Sequence, residues 1–288
     1  MSLKPYLQLT RPANLVTAVA DILAGIAIAG YPFASWELGW LILATLGLYG
    51  GGIVLNDVFD APLDAVERPE RPIPSGKVPL RQAAFMGGSL LLIGVLSGFA
   101  YSAESGLISL IVALLTLVYN RFAKHSRFFG PLVMGSCRGG NLLLGISSVT
   151  PALWHWWPIA LVPVVYIAAI TMISQDEVHG GKRGYLFLAA AFYVTVHTVQ
   201  LYVSSLEGNL FYACLFVALH ALLIGLPLYK AMVTPVGPLI GKAVKAGVLS
   251  LIVMNAAWCV AFGYFGLGIF VLILLPLSMF LGKKFAVT

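Results

Sequence analysis

The 288-residue chain is 60% hydrophobic and only 10% charged, with a net charge of +6 and a mean hydropathy of +0.94. A soluble globular domain carries about 25% charged residues, so this composition excludes one and marks a membrane protein. Its three cysteines, Cys137, Cys214 and Cys259, lie in apolar runs without CxxC or Cys/His spacing, which excludes a disulfide framework and leaves them as inert core thiols.

Crossing roughly 30 Å of hydrocarbon takes about 20 mainly apolar residues. By that measure helices are predicted near 13–32, 38–58, 82–102, 105–121, 129–149, 156–175, 184–204, 210–229, 244–263 and 266–281. Lys4 and Arg11 precede a first span of full helical length, so that span reads as its own insertion signal rather than a cleaved leader. The expected fold is all-α, a polytopic transmembrane bundle of nine to ten helices forming one membrane-embedded domain over 1–288, with two similar halves of about 1–128 and 129–288.

Basic residues concentrate in cytoplasmic connections, so their placement tests that parse. Sixteen of the seventeen Lys and Arg fall at the N-terminus, in alternate connections (Arg68 to Arg81, Arg121 to Arg127, Lys182 and Arg183, Lys230 to Lys245) and in the tail at Lys283 and Lys284. The opposite connections carry Glu37, Glu104, Glu207 and the run Trp154 to Trp157, where indole rings anchor helices to headgroups. The expected location is the cytoplasmic membrane, multi-pass, with the loop after the second helix facing the cytoplasm. The bilayer is therefore a partner and no nucleic acid is expected.

That loop follows the run Asn56-Asp57-Val58-Phe59-Asp60-Ala61-Pro62-Leu63-Asp64. If the helix continues, Asp57, Asp60 and Asp64 fall at i, i+3 and i+7 and share a face. Three carboxylates that close repel unless a cation sits between them, and hard oxygen donors completed by phosphate oxygens suit Mg²⁺. Pro62 lacks a backbone donor, so the helix is expected to kink or end near Ala61. The seventeenth basic residue, Arg138, lies inside the fifth predicted helix with Asn141 one turn on, and a charge at membrane depth faces a polar cavity or a partner. Asp21 and Asn14 in the first helix are candidates for that cavity as well; a structural ion pair between Arg138 and Asp21, or helix-end snorkelling, is the alternative. His197, His220 and Asn255 read as satisfied core polar groups.

The run from Asn56 to Asp64, followed by Arg71-Pro72-Ile73-Pro74-Ser75-Gly76, resembles the first signature of the UbiA superfamily of intramembrane prenyltransferases. Arg11-Pro12-x-Asn14, Tyr119-Asn120 with Lys124, and Gly135-x-x-Arg138-Gly139-x-Asn141 also resemble family positions. The resemblance implies that Asp57, Asp60 and Asp64 bind Mg²⁺ and, through it, the diphosphate of a polyprenyl donor. Asn14, Asn56, Arg68, Arg71, Lys124, Arg138, Asn141, Lys182 and Arg183 then become the substrate-binding residues, with Arg68 and Arg71 ranking first because Arg binds phosphate bidentately.

The second family signature, DxxxD, is incomplete here. The segment 174–184 offers Asp176 as a further metal ligand and catalytic residue, Glu177 beside it, and His179 as a proton acceptor, but one expected carboxylate is missing in either register. The Glu-Val-His-Gly-Gly segment is similar to the divergent Ebo-type subgroup encoded in natural-product clusters. The implied activity is Mg²⁺-dependent transfer of an isoprenyl group to an acceptor of unknown identity, with electron-rich aromatic rings among the candidates. The alternative is a non-catalytic relative that binds or helps transport prenyl lipids. A plain secondary transporter fits less well, because its site belongs at the membrane midplane.

Overall fold

The computed structural model describes residues 3–32, 35–175 and 183–285, and every regular element among them is helical. A short α1 (Lys4–Leu9) leads into α2 (Pro12–Ala29), α3 (Leu38–Glu67), α4 (Leu80–Tyr101), α5 (Ala103–Arg121) and α6 (Phe129–Ile146). The second half runs through α7 (Thr150–Trp156), α8 (Leu161–Ser174), α9 (Arg183–Leu206), α10 (Leu210–Val233), α11 (Gly237–Ala261) and α12 (Phe265–Phe285). Two single-turn helices, Ala123–His125 and Trp157–Ala160, complete the set.

Among the described residues nine spans are long and apolar enough to cross a membrane, with α7 and α8 joined as Thr150–Ser174. The protein is an integral, multi-pass membrane protein. The ten predicted segments correspond to these nine plus α6, which is less apolar. Its eighteen residues carry Arg138, Asn141 and a high share of glycine, so it is the helix least like lipid.

One local expectation fails. α3 neither ends nor breaks at Ala61 but continues through Pro62 to Glu67, a run of 30 residues. A proline removes its own N–H and crowds the carbonyl four residues back, at a cost of about 3 kcal/mol, so a helix that runs through one is held from outside. The end is held instead by Arg68, whose backbone N–H donates to the Asp64 carbonyl at 2.9 Å. This extension keeps Asp57, Asp60 and Asp64 on one continuous helix.

α2 and α11 are the most buried spans and pack against one another in the middle of the bundle. α2 also touches α3, α6 and α12, while α11 touches α8, α9, α10 and α12. The α2 and α6 backbones approach through paired glycines: a Cβ on Gly25 would stand 2.7 Å from the Gly145 Cα. Small residues at such a crossing let two helices close on each other where lipid offers no hydrophobic drive. α10 and α12 turn rows of Leu, Ile and Phe outward, as lipid-facing helices do.

The close approach of α2 and α6 aligns a buried polar node. Arg138 Nε lies 2.6 Å from Asp21 Oδ2. Asn141 donates to the same oxygen at 2.9 Å, and Asn255 donates to Asp21 Oδ1 at 2.6 Å. Thr45 donates to Asn141 Oδ1 at 2.6 Å, so four helices, α2, α3, α6 and α11, meet in one network. The ion pair between Arg138 and Asp21 named as the alternative in the sequence is present. His220 is a buried core group and His197 a half-buried one: their rings hydrogen-bond at 2.9 Å, and His220 meets the Tyr166 hydroxyl at 3.2 Å.

Candidate active site

At the α3 end that carries Asp57, Asp60 and Asp64, each carboxylate has its own cation. Arg11 Nη2 stands 2.6 Å from Asp57 Oδ1. Arg71 Nη1 lies 2.7 Å from Asp64 Oδ2 and 3.7 Å from Asp57 Oδ1, bridging the first and last members of the face. Lys124, on the single turn after α5, pairs with Asp60. Asp57 spans from α3 to α1 and α2 through Arg11, and Asp60 spans from α3 to α5 through Lys124. The acidic face is therefore a clasp that gathers four chain segments.

Sequence explains why those cations arrive. Arg71 opens a tight turn in which the Ser75 N–H donates to the Arg71 carbonyl at 3.0 Å and the Gly76 N–H to Ile73 at 3.0 Å. Gly76 takes φ 74°, a left-handed value that glycine adopts without steric cost. Ile73 and Val78 then plug a small apolar cluster with Leu9, Val54 and Ala83, which pins Arg71 under the carboxylates. Arg11 sits at φ 45°, the one positive φ outside glycine among the described residues, immediately before Pro12. Such a backbone costs of order 1–3 kcal/mol and persists where the surroundings demand it. Here it turns the guanidinium back onto Asp57.

A cavity of about 280 Å³ opens beside the clasp, lined by Arg11, Asn14, Asn56, Tyr119 and Asn120 among others. Asn56 donates to Asn120 Oδ1 at 3.0 Å, and Asn120 donates to the Gly52 carbonyl at 3.1 Å, so both amides are oriented before any ligand binds. A smaller cavity of about 60 Å³ follows, lined by Arg138 and Asn141. Leu48, Tyr49, Thr116, Met134 and Cys137 line both, so the two cavities adjoin and lead from the mouth toward the middle of the bundle.

The predicted site residues divide accordingly. Asp57, Asp60, Asp64, Asn56, Arg71 and Lys124 come together at the clasp, and Asn14 lines the cavity beside it. Arg68 stands further off, 3.9 Å from Asp64 Oδ1 and 46% exposed, so it does not rank with Arg71. Arg138 and Asn141 belong to the buried node and not to the clasp, because Asp21 holds them at membrane depth. Arg183 donates to the Val233 carbonyl at 3.0 Å, joining α9 to α10. Asp176, Glu177, His179 and Lys182 lie outside the described residues. Among the described residues no three His, Cys, Asp or Glu side chains converge as a ready-made metal site. Asp57 and Asp64 are seven residues apart, about 10 Å along a helix, and each carboxylate turns to its own cation. Sequence reading missed Arg11 as a site residue; its signal was the Arg-Pro-x-Asn motif at the head of α2.

Fold and clasp define an integral helical bundle with a charged mouth over an interior path. The chain belongs to the UbiA prenyltransferase family, whose model matches residues 18–246. It is 29% identical over 178 residues to a digeranylgeranylglyceryl phosphate synthase of Saccharolobus solfataricus, an alignment covering 61% of this chain and 62% of that protein. The apo structure of a UbiA homologue from Aeropyrum pernix superposes with a TM-score of 0.70 at 18% identity, covering 84% of this chain and 96% of that one. A UbiA homologue from Archaeoglobus fulgidus, bound to GPP and Mg²⁺, gives 0.61 at 16% identity, covering 86% and 99%.

Proposed function

We propose that this chain is a prenyltransferase that moves an isoprenyl group from a polyprenyl diphosphate to an acceptor, with Mg²⁺ at the mouth. The observation that carries the reading is the clasp: three acidic side chains on one helix, each held by a separate cation, beside a cavity that leads into the bundle. Family membership and the Archaeoglobus fulgidus homologue bound to GPP and Mg²⁺ support it.

The residues fit the metal. Asp57 Oδ2 is buried without a hydrogen-bond partner, and Asp60 is the most accessible of the three carboxylates one turn on, so two hard oxygens stand ready for an ion whose shell phosphate oxygens complete. Bound there, Mg²⁺ would neutralise charge on the departing diphosphate. The protein does the rest. Arg11, Arg71 and Lys124, each paired to a carboxylate, are the cations that would meet the phosphate oxygens of a donor bound at the mouth. Fixed cations that meet charge as it develops lower the barrier to departure. The allylic C–O bond breaks with its electron pair leaving on diphosphate; the acceptor nucleophile then bonds to that carbon and releases a proton. The acceptor's identity is open, and the glyceryl phosphate named in the relatives makes that class the first to assay. The concentration of basic residues on alternate connections supports a mouth that faces the cytoplasm.

The test is direct. Purified protein in nanodiscs, given Mg²⁺ and labelled geranylgeranyl diphosphate, should bind the donor and release diphosphate when acceptors from a lipid extract are supplied. Donor binding without any alkylated product would favour the non-catalytic alternative. Equal donor affinity with and without Mg²⁺ would sink the metal site.

A further inference from the structure

The path from the clasp ends on an incomplete polar group. Arg138 is 4% exposed and lines the inner cavity with Asn141. Its Nη2 donates to the Thr17 carbonyl at 2.6 Å, its Nε faces Asp21 Oδ2 at 2.6 Å, and its Cζ lies 5.3 Å from the Tyr49 ring centre. Nη1 is buried and has no hydrogen-bond partner. A guanidinium N–H left unmade in a low-dielectric interior carries a large cost, so such a donor is a strong recognition element for whatever completes it.

Charge balance restricts what can complete it. Asp21 already neutralises Arg138, and both Asp21 oxygens already accept from an asparagine, Asn141 and Asn255. A full negative charge added here would leave net charge at membrane depth, while a neutral acceptor oxygen fills the open N–H at no such cost. The surroundings, Leu48, Val112, Met134 and Ile167, ask for an apolar body around that oxygen. Tyr49, over the guanidinium, precedes Asp57 by eight residues on α3, which is about 12 Å along the helix.

We infer that Arg138 is a specificity-determining residue that binds an uncharged oxygen, a carbonyl, ether or hydroxyl, of an apolar substrate reaching down from the mouth. The inner cavity is thus the seat of the oxygen-bearing acceptor, while the diphosphate stays at the clasp. This rests on the prenyltransferase reading for the word acceptor, but the binding chemistry stands on Arg138 alone.

The experiment uses three matched probes on the full chain in nanodiscs, without donor or Mg²⁺: para-hexylacetophenone, the hydrocarbon para-ethyl-hexylbenzene, and para-hexylbenzoate. The ketone should bind about ten-fold tighter than the hydrocarbon, the effect of one hydrogen bond to a charged group, and tighter than the carboxylate. It should also shield Cys137, which lines both cavities, from a small thiol reagent, read at that residue by peptide mass spectrometry. The double variant Asp21→Asn with Arg138→Gln removes both charges together and should lose the ketone preference. Equal binding of ketone and hydrocarbon by the wild type overturns the inference, as does a tighter carboxylate or a preference that survives in the double variant. If the double variant does not fold, the wild-type series and Cys137 shielding decide alone. Because no donor is present, failure here leaves the transfer reading intact, and an inactive protein that keeps the ketone preference sinks only the transfer reading.

Discussion

The bundle contains two carboxylate and cation assemblies that use nearly the same residue types and do opposite things. In the node, Asp21 and Arg138 are 1% and 4% exposed, and Asp21 accepts from two asparagines besides its arginine. In the clasp, Arg11 is 30% exposed, and Asp57 keeps one oxygen with no partner. The Asp21 carboxylate, fully buried and held by its arginine and two asparagines, has no partner to exchange, so it fixes helices. A partly exposed, unsaturated pair can trade its partner for a metal or a phosphate, so it is a site. An exposed cation and a carboxylate oxygen without a partner, not residue identity, separate the exchangeable clasp from the fixed carboxylate of the node.

The widest break in that comparison comes from leaving a node charge alone. Asp21→Ala strands Arg138 in the interior and should destabilise the protein by about 3–5 kcal/mol, as removal of one partner of a buried pair does. Asp21→Asn combined with Arg138→Gln should recover most of that loss. Reversible unfolding by SDS titration in mixed micelles measures both. A single variant as stable as wild type would mean the node does not hold the helices together.

Removing a clasp carboxylate should instead cost the site more than it costs the fold. Asp57→Asn is expected to weaken Mg²⁺-dependent donor binding by more than about 100-fold, since loss of even an outer partner costs a metal site 10 to 100-fold. Its stability should fall by less than that of Asp21→Ala, because Asp60 and Asp64 keep their own cations. A variant that melts far lower and binds normally would reverse the roles assigned to the two assemblies.

A third change tests how the node is reached. Gly25→Ala places a Cβ 2.6 Å from the Leu142 carbonyl oxygen, so α2 and α6 must part. About 1–3 kcal/mol of stability should go with them, the usual cost of overpacking. Gly88→Ala meets nothing within 4 Å and serves as the neutral control. Equal melting of the two would remove the glycine contact as the determinant of that crossing.

Much of this was legible in the chain because membranes simplify the reading. Ten apolar runs with basic residues on alternate connections predicted the long helices, and α2, α4 and α5 begin and end within three residues of those runs. The continuation of α3 through Pro62 was not legible, because the proline rule describes a local cost that the clasp outweighs: Asp64 must stay on the helix to meet Arg71. The pairing of Arg11 with Asp57 was hidden for a different reason. The two are 46 residues apart, and nothing in either segment says which loop charge folds back onto which carboxylate. For Arg138 the sequence offered both a cavity and a partner at Asp21. Both are present, on different nitrogens of the same guanidinium.

The narrowest test sits within the clasp itself, between two arginines of one loop. Arg71 is 11% exposed and 2.7 Å from Asp64, whereas Arg68 is 46% exposed with its carboxylate at 3.9 Å. Exposed pairs at that distance contribute about 0.2–1 kcal/mol and are screened by salt. Arg68→Gln should therefore weaken donor binding by no more than about five-fold, with the difference from wild type shrinking as ionic strength rises. Arg71→Gln leaves Asp57 and Asp64 without their shared cation and should cost more, with little response to salt. If the two variants prove equal at every ionic strength, burial does not rank the cations of the mouth, and the contrast between clasp and node loses its physical basis.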